Sequence, residues 1–79
     1  MIYYVAMPFT PMDSGLAPGQ AVECPSETAA IRRAEAMSRH AAYAGAVAFS
    51  RSGNPKVGEF DDAVILKTFG DVPEDFREV

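Results

Sequence analysis

The segment IYYVAMPF at residues 2–9 predicts a first strand that ends at Pro8, because it is rich in aromatic and β-branched side chains. Along an extended chain, successive side chains point to opposite faces. The two resulting sets are Tyr3, Val5, Met7 and Phe9 on one face and Ile2, Tyr4 and Ala6 on the other. Because both sets are apolar, we expect a strand with both faces removed from water.

Two later segments show the same two-sided pattern. Residues 46–51 (AVAFSR) predict a strand, and residues 60–69 (FDDAVILKTF) predict the last strand, with residues 63–69 as its main part. The turn signal SGNP at residues 52–55 joins them into a hairpin. Residues 20–24 (QAVEC) form a candidate second strand, which follows a stretch rich in proline and glycine at residues 10–19.

Between these strands lies one predicted helix, which starts after Ser26 and runs to about Tyr43. Ser26 is a suitable N-cap, and the acidic side chain of Glu27 complements the positive end of the helix dipole. Gly45 fits the left-handed position that often ends a helix. The apolar face of the helix, at helical spacing, consists of Ala30, Ile31, Ala34, Met37 and Ala41.

These elements predict an α+β fold of β(β)αββ order, in which one helix packs on one face of a three- or four-stranded sheet. If the strands before and after the helix are parallel, the connection should be right-handed. We expect residues 1–70 to form a single domain. Residues 71–79 are acidic and little periodic, and they predict a loosely held C-terminal tail.

A lone helix covers one face of a sheet, so the apolar second face needs another cover. A second copy of the chain is the simplest one, since two-fold dimers are the commonest oligomers. The alternative is that the alanines make a weakly apolar face that needs no partner. The positions predicted to form the interface are Tyr4, Ala6, Ala46, Ala48, Val64 and Leu66.

Charge is unevenly distributed along the chain, whose net charge is −4. The acidic balance argues against nucleic acid or an anionic membrane as the main partner. Residues 26–58 nevertheless carry five basic side chains against two acidic ones. A local patch that binds an anion is therefore the second hypothesis, and its candidate residues are Arg32, Arg33, Arg39 and Arg51. The alternative is an ordinary solvated helix face.

No set of residues predicts catalysis, a metal site or a cofactor site. His40 is the single histidine and has no marked orienting carboxylate, so a surface or capping role is expected. Cys24 precedes the helix, where a thiol can become reactive, and it is the starting point for the third hypothesis, an enzyme. The carboxylates Glu59, Asp61 and Asp62 alternate between strand faces and predict a solvated edge rather than metal ligands.

The expected setting is the cytoplasm. A single cysteine allows no internal disulfide, whereas small secreted domains usually carry several. The residues before the first apolar run contain no basic side chain, so we expect no signal peptide. The apolar runs are far shorter than the roughly 18 residues of a membrane span, which predicts no membrane association.

Four segments of the chain resemble a family of small bacterial proteins of unknown function, chiefly alphaproteobacterial. The segments are IYYVAMPFT, AIRRAEAMSRH, AGAVAFSRSGNP, and GEFDDAVILKTFG followed by VPED. The resemblance covers nearly the whole chain, and none of its segments is a chemically diagnostic motif. It implies a compact α+β domain in a bacterial cytosol and supplies no catalytic residue.

The function predicted from the sequence is a small non-enzymatic module that binds itself or another protein and has a regulatory or accessory role. The prediction depends on the two-sided apolar strands and on the lack of a catalytic set of residues. Binding of an anionic ligand or nucleic acid through the basic helix face is the runner-up.

Overall fold

The computed structural model describes residues 1–54 and 56–76. In these ranges the chain forms six β-strands, one α-helix and a final 3₁₀ turn, so the fold is α+β as predicted. The elements are β1 (Ile2–Met12), β2 (Gly15–Pro18), β3 (Val22–Cys24), α1 (Glu27–Ser38), β4 (Gly45–Asn54), β5 (Glu59–Phe60), β6 (Val64–Gly70) and the 3₁₀ turn (Glu74–Phe76).

The long strand β1 lies inside the sheet and has partners on both sides. One side pairs with β4 in antiparallel fashion, from Ile2↔Ser52 to Phe9↔Gly45. The other side pairs with two short strands in turn, first with β3 near Val5 and then with β2 from Phe9 onward. All the pairs are antiparallel, so the condition for a right-handed connection between parallel β1 and β4 is not met.

Strand β4 pairs on its other side with the two strands that form the opposite edge of the sheet. Its first half pairs with β6, with a register shift between Ala48 and Phe49, and its last two residues pair with β5. The described strands number six instead of the expected three or four, because each outer edge is divided between two strands, β2 and β3 beside β1 and β5 and β6 beside β4. Since β3 and β4 are both antiparallel to β1, they are parallel to each other, and α1 links them across the intervening strand.

Pro8 does not end β1, contrary to the sequence prediction. Its carbonyl accepts a hydrogen bond from the Gly19 N–H at 2.8 Å, so its backbone polar atoms point toward the edge formed by β3 and β2. Proline lacks an N–H group, and here the missing donor falls at the gap between the two short strands. The strand can therefore continue through Pro8 to Met12.

Helix α1 begins as predicted and ends earlier. The Ser26 hydroxyl accepts a hydrogen bond from the Ala29 N–H at 3.1 Å, which satisfies one of the free donors of the first turn. The last helical residue is Ser38 rather than Tyr43, and residues 39–44 form the non-helical connection to β4. The chain leaves the helix here because the next strand, β4, already starts at Gly45. Gly45 has no positive φ, so it does not end the helix in the left-handed conformation that was predicted.

Gly45 is required by close packing instead. It is buried, and a Cβ at this position would run into the backbone of Asp71 and the carbonyl of Phe69. The adjacent Ala44 carbonyl accepts a hydrogen bond from the Asp71 N–H at 3.0 Å. A side chain at residue 45 would therefore separate β4 from the segment that follows β6.

The residues after β6 are packed, which differs from the predicted loose tail. Val72 is 3% exposed and belongs to a buried cluster with Phe9 and Val47. The ring of Phe76 lies 5.3 Å from that of Phe9, measured between centroids. The predicted tail is thus held against the sheet as far as Phe76, and residues 77–79 lie outside the described residues. No described helix has the length and apolar character needed to cross a membrane.

Candidate interaction surface

The face of the sheet that packs against α1 is built from small side chains, and we call it the alanine face. Its strand residues Ala6, Ala46 and Ala48 are fully buried. They pack against Ala30 and Ala34 of the helix, which are also fully buried. Alanine side chains on both partners let the helix approach the sheet closely, so this cover leaves no room for another molecule.

This placement corrects the predicted interface. Ala6, Ala46 and Ala48 are hidden within their own chain, and a buried side chain cannot contact a partner. Tyr4 and Leu66 are half-buried against the same cluster. Among the six predicted positions, Val64 is the exposed one, at 60%, and it lies on the edge strand β6.

The opposite side of the sheet, which we call the distal face, carries the larger side chains. In an antiparallel pair, residues in direct register point to the same side. The register therefore places two sets together, Tyr3, Val5, Met7 and Phe9 of β1 with Val47, Phe49 and Arg51 of β4.

The distal face is covered at one end and open at the other. At the closed end, Val72 and Phe76 pack onto Phe9 and Val47, and Leu16 of β2 contacts the same cluster. At the open end, a groove of about 370 Å³ lies along the sheet. We call it the open groove, and its lining residues are Tyr3, Val5, Ala21, Glu23, Phe49, Arg51 and Phe60.

Aromatic side chains form much of the open groove. The ring centroids of Tyr3 and Phe60 are 6.1 Å apart, with the rings tilted by 47°. Phe60 is 49% exposed even though it is a large apolar side chain. Its position is set by Gly53, the partner of Phe60 in the β4–β5 pair, where any Cβ would run into the Phe60 ring. Aromatic side chains are enriched in the centres of protein interfaces.

Two opposite charges flank this groove on different strands. Glu23 of β3 is in register with Val5, and Arg51 of β4 is in register with Tyr3. Because β1 lies between β3 and β4, the carboxylate and the guanidinium lie on opposite sides of the groove. The one ion pair found among the described residues joins Arg39 and Glu35 at 2.8 Å, so Glu23 and Arg51 are not paired with each other.

The four arginines of the predicted anion patch do not share a surface. Arg32, Arg33 and Arg39 are exposed on α1 or at its C-terminal cap. Arg51 lies on the distal face, with the sheet between it and the helix. Arg39 also donates a hydrogen bond to the Glu35 carboxylate, which reduces its availability for an anion. The structure therefore brings together at most the three helical arginines.

His40 and Cys24 both have local structural contacts. The Nδ1 atom of His40 accepts a hydrogen bond from the Ala42 N–H at 3.1 Å, and its ring packs 5.2 Å from that of Tyr43. The Cys24 thiol is half-buried against the alanine cluster. Over residues 1–54 and 56–76, no group of three or more His, Cys, Asp or Glu side chains is arranged to hold a metal ion.

No family model, curated protein or solved structure matches the chain. The chemistry of its surfaces is thus the basis for a functional proposal. The open groove combines an exposed phenylalanine and two half-buried aromatic rings with charges that have no ion-pair partner among the described residues, and it is the strongest candidate site in that part of the chain.

The alternation of side chains along the strands predicts the two faces correctly, but the helix covers the face that was predicted to be the interface. The groove residues that the sequence pattern did not single out as a site are Tyr3, Val5, Glu23, Phe49 and Phe60. Side-chain size was the available signal. The alanines at positions 6, 46 and 48 match the alanines on the helix, and small residues on two elements favour their close packing.

Proposed function

We propose that this chain is a small non-enzymatic protein-interaction module that forms a homodimer through the open groove of its distal face. The observation that carries the proposal is the aromatic lining of that groove, half-buried at Tyr3 and Phe49 and exposed at Phe60, on a sheet whose other face is already covered by α1. Exposed apolar patches of this kind mark interaction sites in soluble proteins. We further propose a bacterial cytoplasmic setting, which rests on the resemblance and on the single cysteine.

The dimer should be weak and reversible. Seven residues line the open groove, whereas stable interfaces commonly use about 20–30 residues on each side. Even with the surrounding rim, we expect a dissociation constant in the micromolar range, so that assembly depends on concentration. A regulatory or accessory role fits such reversible assembly.

The test compares two variants with the same charge change. Phe60→Glu places a carboxylate in the groove, and burying an unpaired charge opposes association. Val64→Glu, on the β6 edge, is the matched control because Val64 is also exposed but lies outside the groove. Sedimentation velocity over a concentration series should show a dimer for the wild-type chain and for Val64→Glu, and a monomer for Phe60→Glu.

Two outcomes would contradict the proposal. The homodimer is wrong if the wild-type chain stays monomeric at protein concentrations up to roughly a hundred times a micromolar dissociation constant. Dissociation by Val64→Glu, with Phe60→Glu still dimeric, would move the contact from the open groove to the β6 edge. Circular dichroism spectra of both variants should match the wild-type spectrum, which shows that the monomers remain folded.

A further inference from the structure

From the placement of Glu23 and Arg51 we infer how the two copies are oriented, an inference that rests on the proposed homodimer. We propose that the two-fold axis runs along β1, so that Glu23 of each copy faces Arg51 of the other copy. The interface then contains two equivalent Glu23–Arg51 pairs, one on each side of an aromatic centre from which water is excluded.

The geometry of the sheet limits the choice of axis. When two sheets pack face to face, their strand directions stay within about 30° of each other in the aligned arrangement. The two-fold axis must lie between the faces, and it runs either along the strands or across them. In the first arrangement the β1 strands of the two copies are parallel, and in the second they are antiparallel.

The charges favour the first arrangement. Rotation about an axis along β1 exchanges the two sides of the strand and places the β3 side of one copy over the β4 side of the other. Glu23 lies on the β3 side and Arg51 on the β4 side, so unlike charges meet. Rotation about an axis across the strands keeps the sides and brings Glu23 near Glu23. Like charges in contact across an interface are strongly unfavourable.

The offset between the two charges is compatible with this pairing. Glu23 is in register with Val5 and Arg51 with Tyr3, so they differ by two residues along β1. That step is about 6.6 Å, because a strand rises about 3.3 Å per residue. Arginine and glutamate side chains are long enough to span it, and the guanidinium fork suits a carboxylate partner.

The same arrangement indicates a second copy rather than an unrelated partner. A surface with one acid and one base on opposite sides of an apolar groove is complementary to itself after a two-fold rotation. Among the described residues, neither charge has an ion-pair partner within its own chain. Association therefore supplies each charge with a partner without breaking an existing ion pair.

Charge-reversal variants test the pairing. In Glu23→Arg alone, or in Arg51→Glu alone, each interface contact joins like charges, and we expect at least a ten-fold weaker homodimer. When the two single variants are mixed, both contacts join unlike charges again. Native mass spectrometry of the mixture should thus show a heterodimer in excess of either homodimer.

The controls use the same charge changes away from the groove. Asp13→Arg lies in the β1–β2 turn and Lys56→Glu lies beyond β4, and both positions are exposed. Neither variant should weaken the homodimer by as much as ten-fold, and their mixture should show no preference for the heterodimer. Circular dichroism of the groove variants should match that of the wild-type chain, because Glu23 and Arg51 are exposed and no described ion pair is lost.

The possible results separate the two proposals. If the wild-type chain dimerises and Phe60→Glu dissociates it, but neither single reversal weakens the homodimer, the axis along β1 is wrong while the groove remains the interface. The heterodimer preference alone does not distinguish the axes, because an axis across the strands also brings unlike charges together in the mixture. A heterodimer preference that is equally strong in the control mixture also overturns the pairing, because it shows a general charge effect. A monomeric wild-type chain overturns both proposals.

Discussion

The two faces of the sheet bury apolar surface in different ways. The alanine face uses small side chains under a helix, and five alanines there are fully buried. The distal face uses large side chains, and a short C-terminal segment covers one end while the other end stays open. A thin cover suffices where the strand residues themselves are large. Side-chain size, rather than apolar character alone, therefore indicates which face receives the helix.

The largest effect is expected at the closed end of the distal face. Phe9 is fully buried among Val47, Val72 and Phe76, and Phe9→Ala removes the ring and leaves a cavity. We expect a loss of about 4 kcal/mol in the free energy of unfolding, measured by urea denaturation. Met12→Ala on the same strand is the control, because Met12 is 58% exposed and should change stability by less than about 0.5 kcal/mol. A loss below about 1 kcal/mol for Phe9→Ala would show that the segment after β6 does not form a tight cover.

The alanine face should resist larger side chains. Ala34→Leu adds three carbons where the helix touches the sheet, and overpacking should cost about 3 kcal/mol. Ala36→Leu makes the same change on the exposed side of α1 and should cost less than about 0.5 kcal/mol. Equal effects of the two variants in urea denaturation would mean that the helix does not pack closely on the alanines.

A smaller effect is expected from removing part of the thin cover. Phe76 is half-buried against the ring of Phe9, so Phe76→Ala loses part of its buried area and one aromatic pair. We expect a loss of about 2 kcal/mol in the free energy of unfolding, measured by urea denaturation. Glu74→Ala in the same 3₁₀ turn is exposed and serves as the control. An unchanged stability for Phe76→Ala would indicate that the closed end is in fact as open as the groove.

The sequence correctly predicts those elements that are determined by residues close together in the chain. The composition of residues 2–9 located the first strand, and the serine before Glu27 located the helix start, where its hydroxyl caps the first turn. The helix end was misplaced because alanines at residues 41 and 42 favour helix while the sheet requires a turn before Gly45. Tertiary packing, which a single sequence does not display, decided that boundary.

The candidate site was less predictable because it depends on how strands are paired. The placement of Glu23 beside the groove follows from the register of β3 with β1, and that register is a long-range property. The same holds for Phe60, whose position depends on the close approach to Gly53 in a two-residue strand. The separation of Arg51 from the helical arginines likewise required the three-dimensional arrangement.

The pairing of β1 has a consequence for how the chain folds. Ile2 pairs with Ser52, so one side of the first strand cannot pair until the residues fifty positions further along the chain have been synthesised. At synthesis rates of about 5–20 residues per second, that interval lasts roughly 3–10 s. During this interval β2 and β3 can pair with one edge of β1, because they follow it within twenty-five residues, while the other edge remains unpaired. Pairing between residues that are far apart in sequence slows folding. The nascent chain is most prone to aggregation before β4 has been synthesised, because the unpaired edge of β1 can pair with another chain.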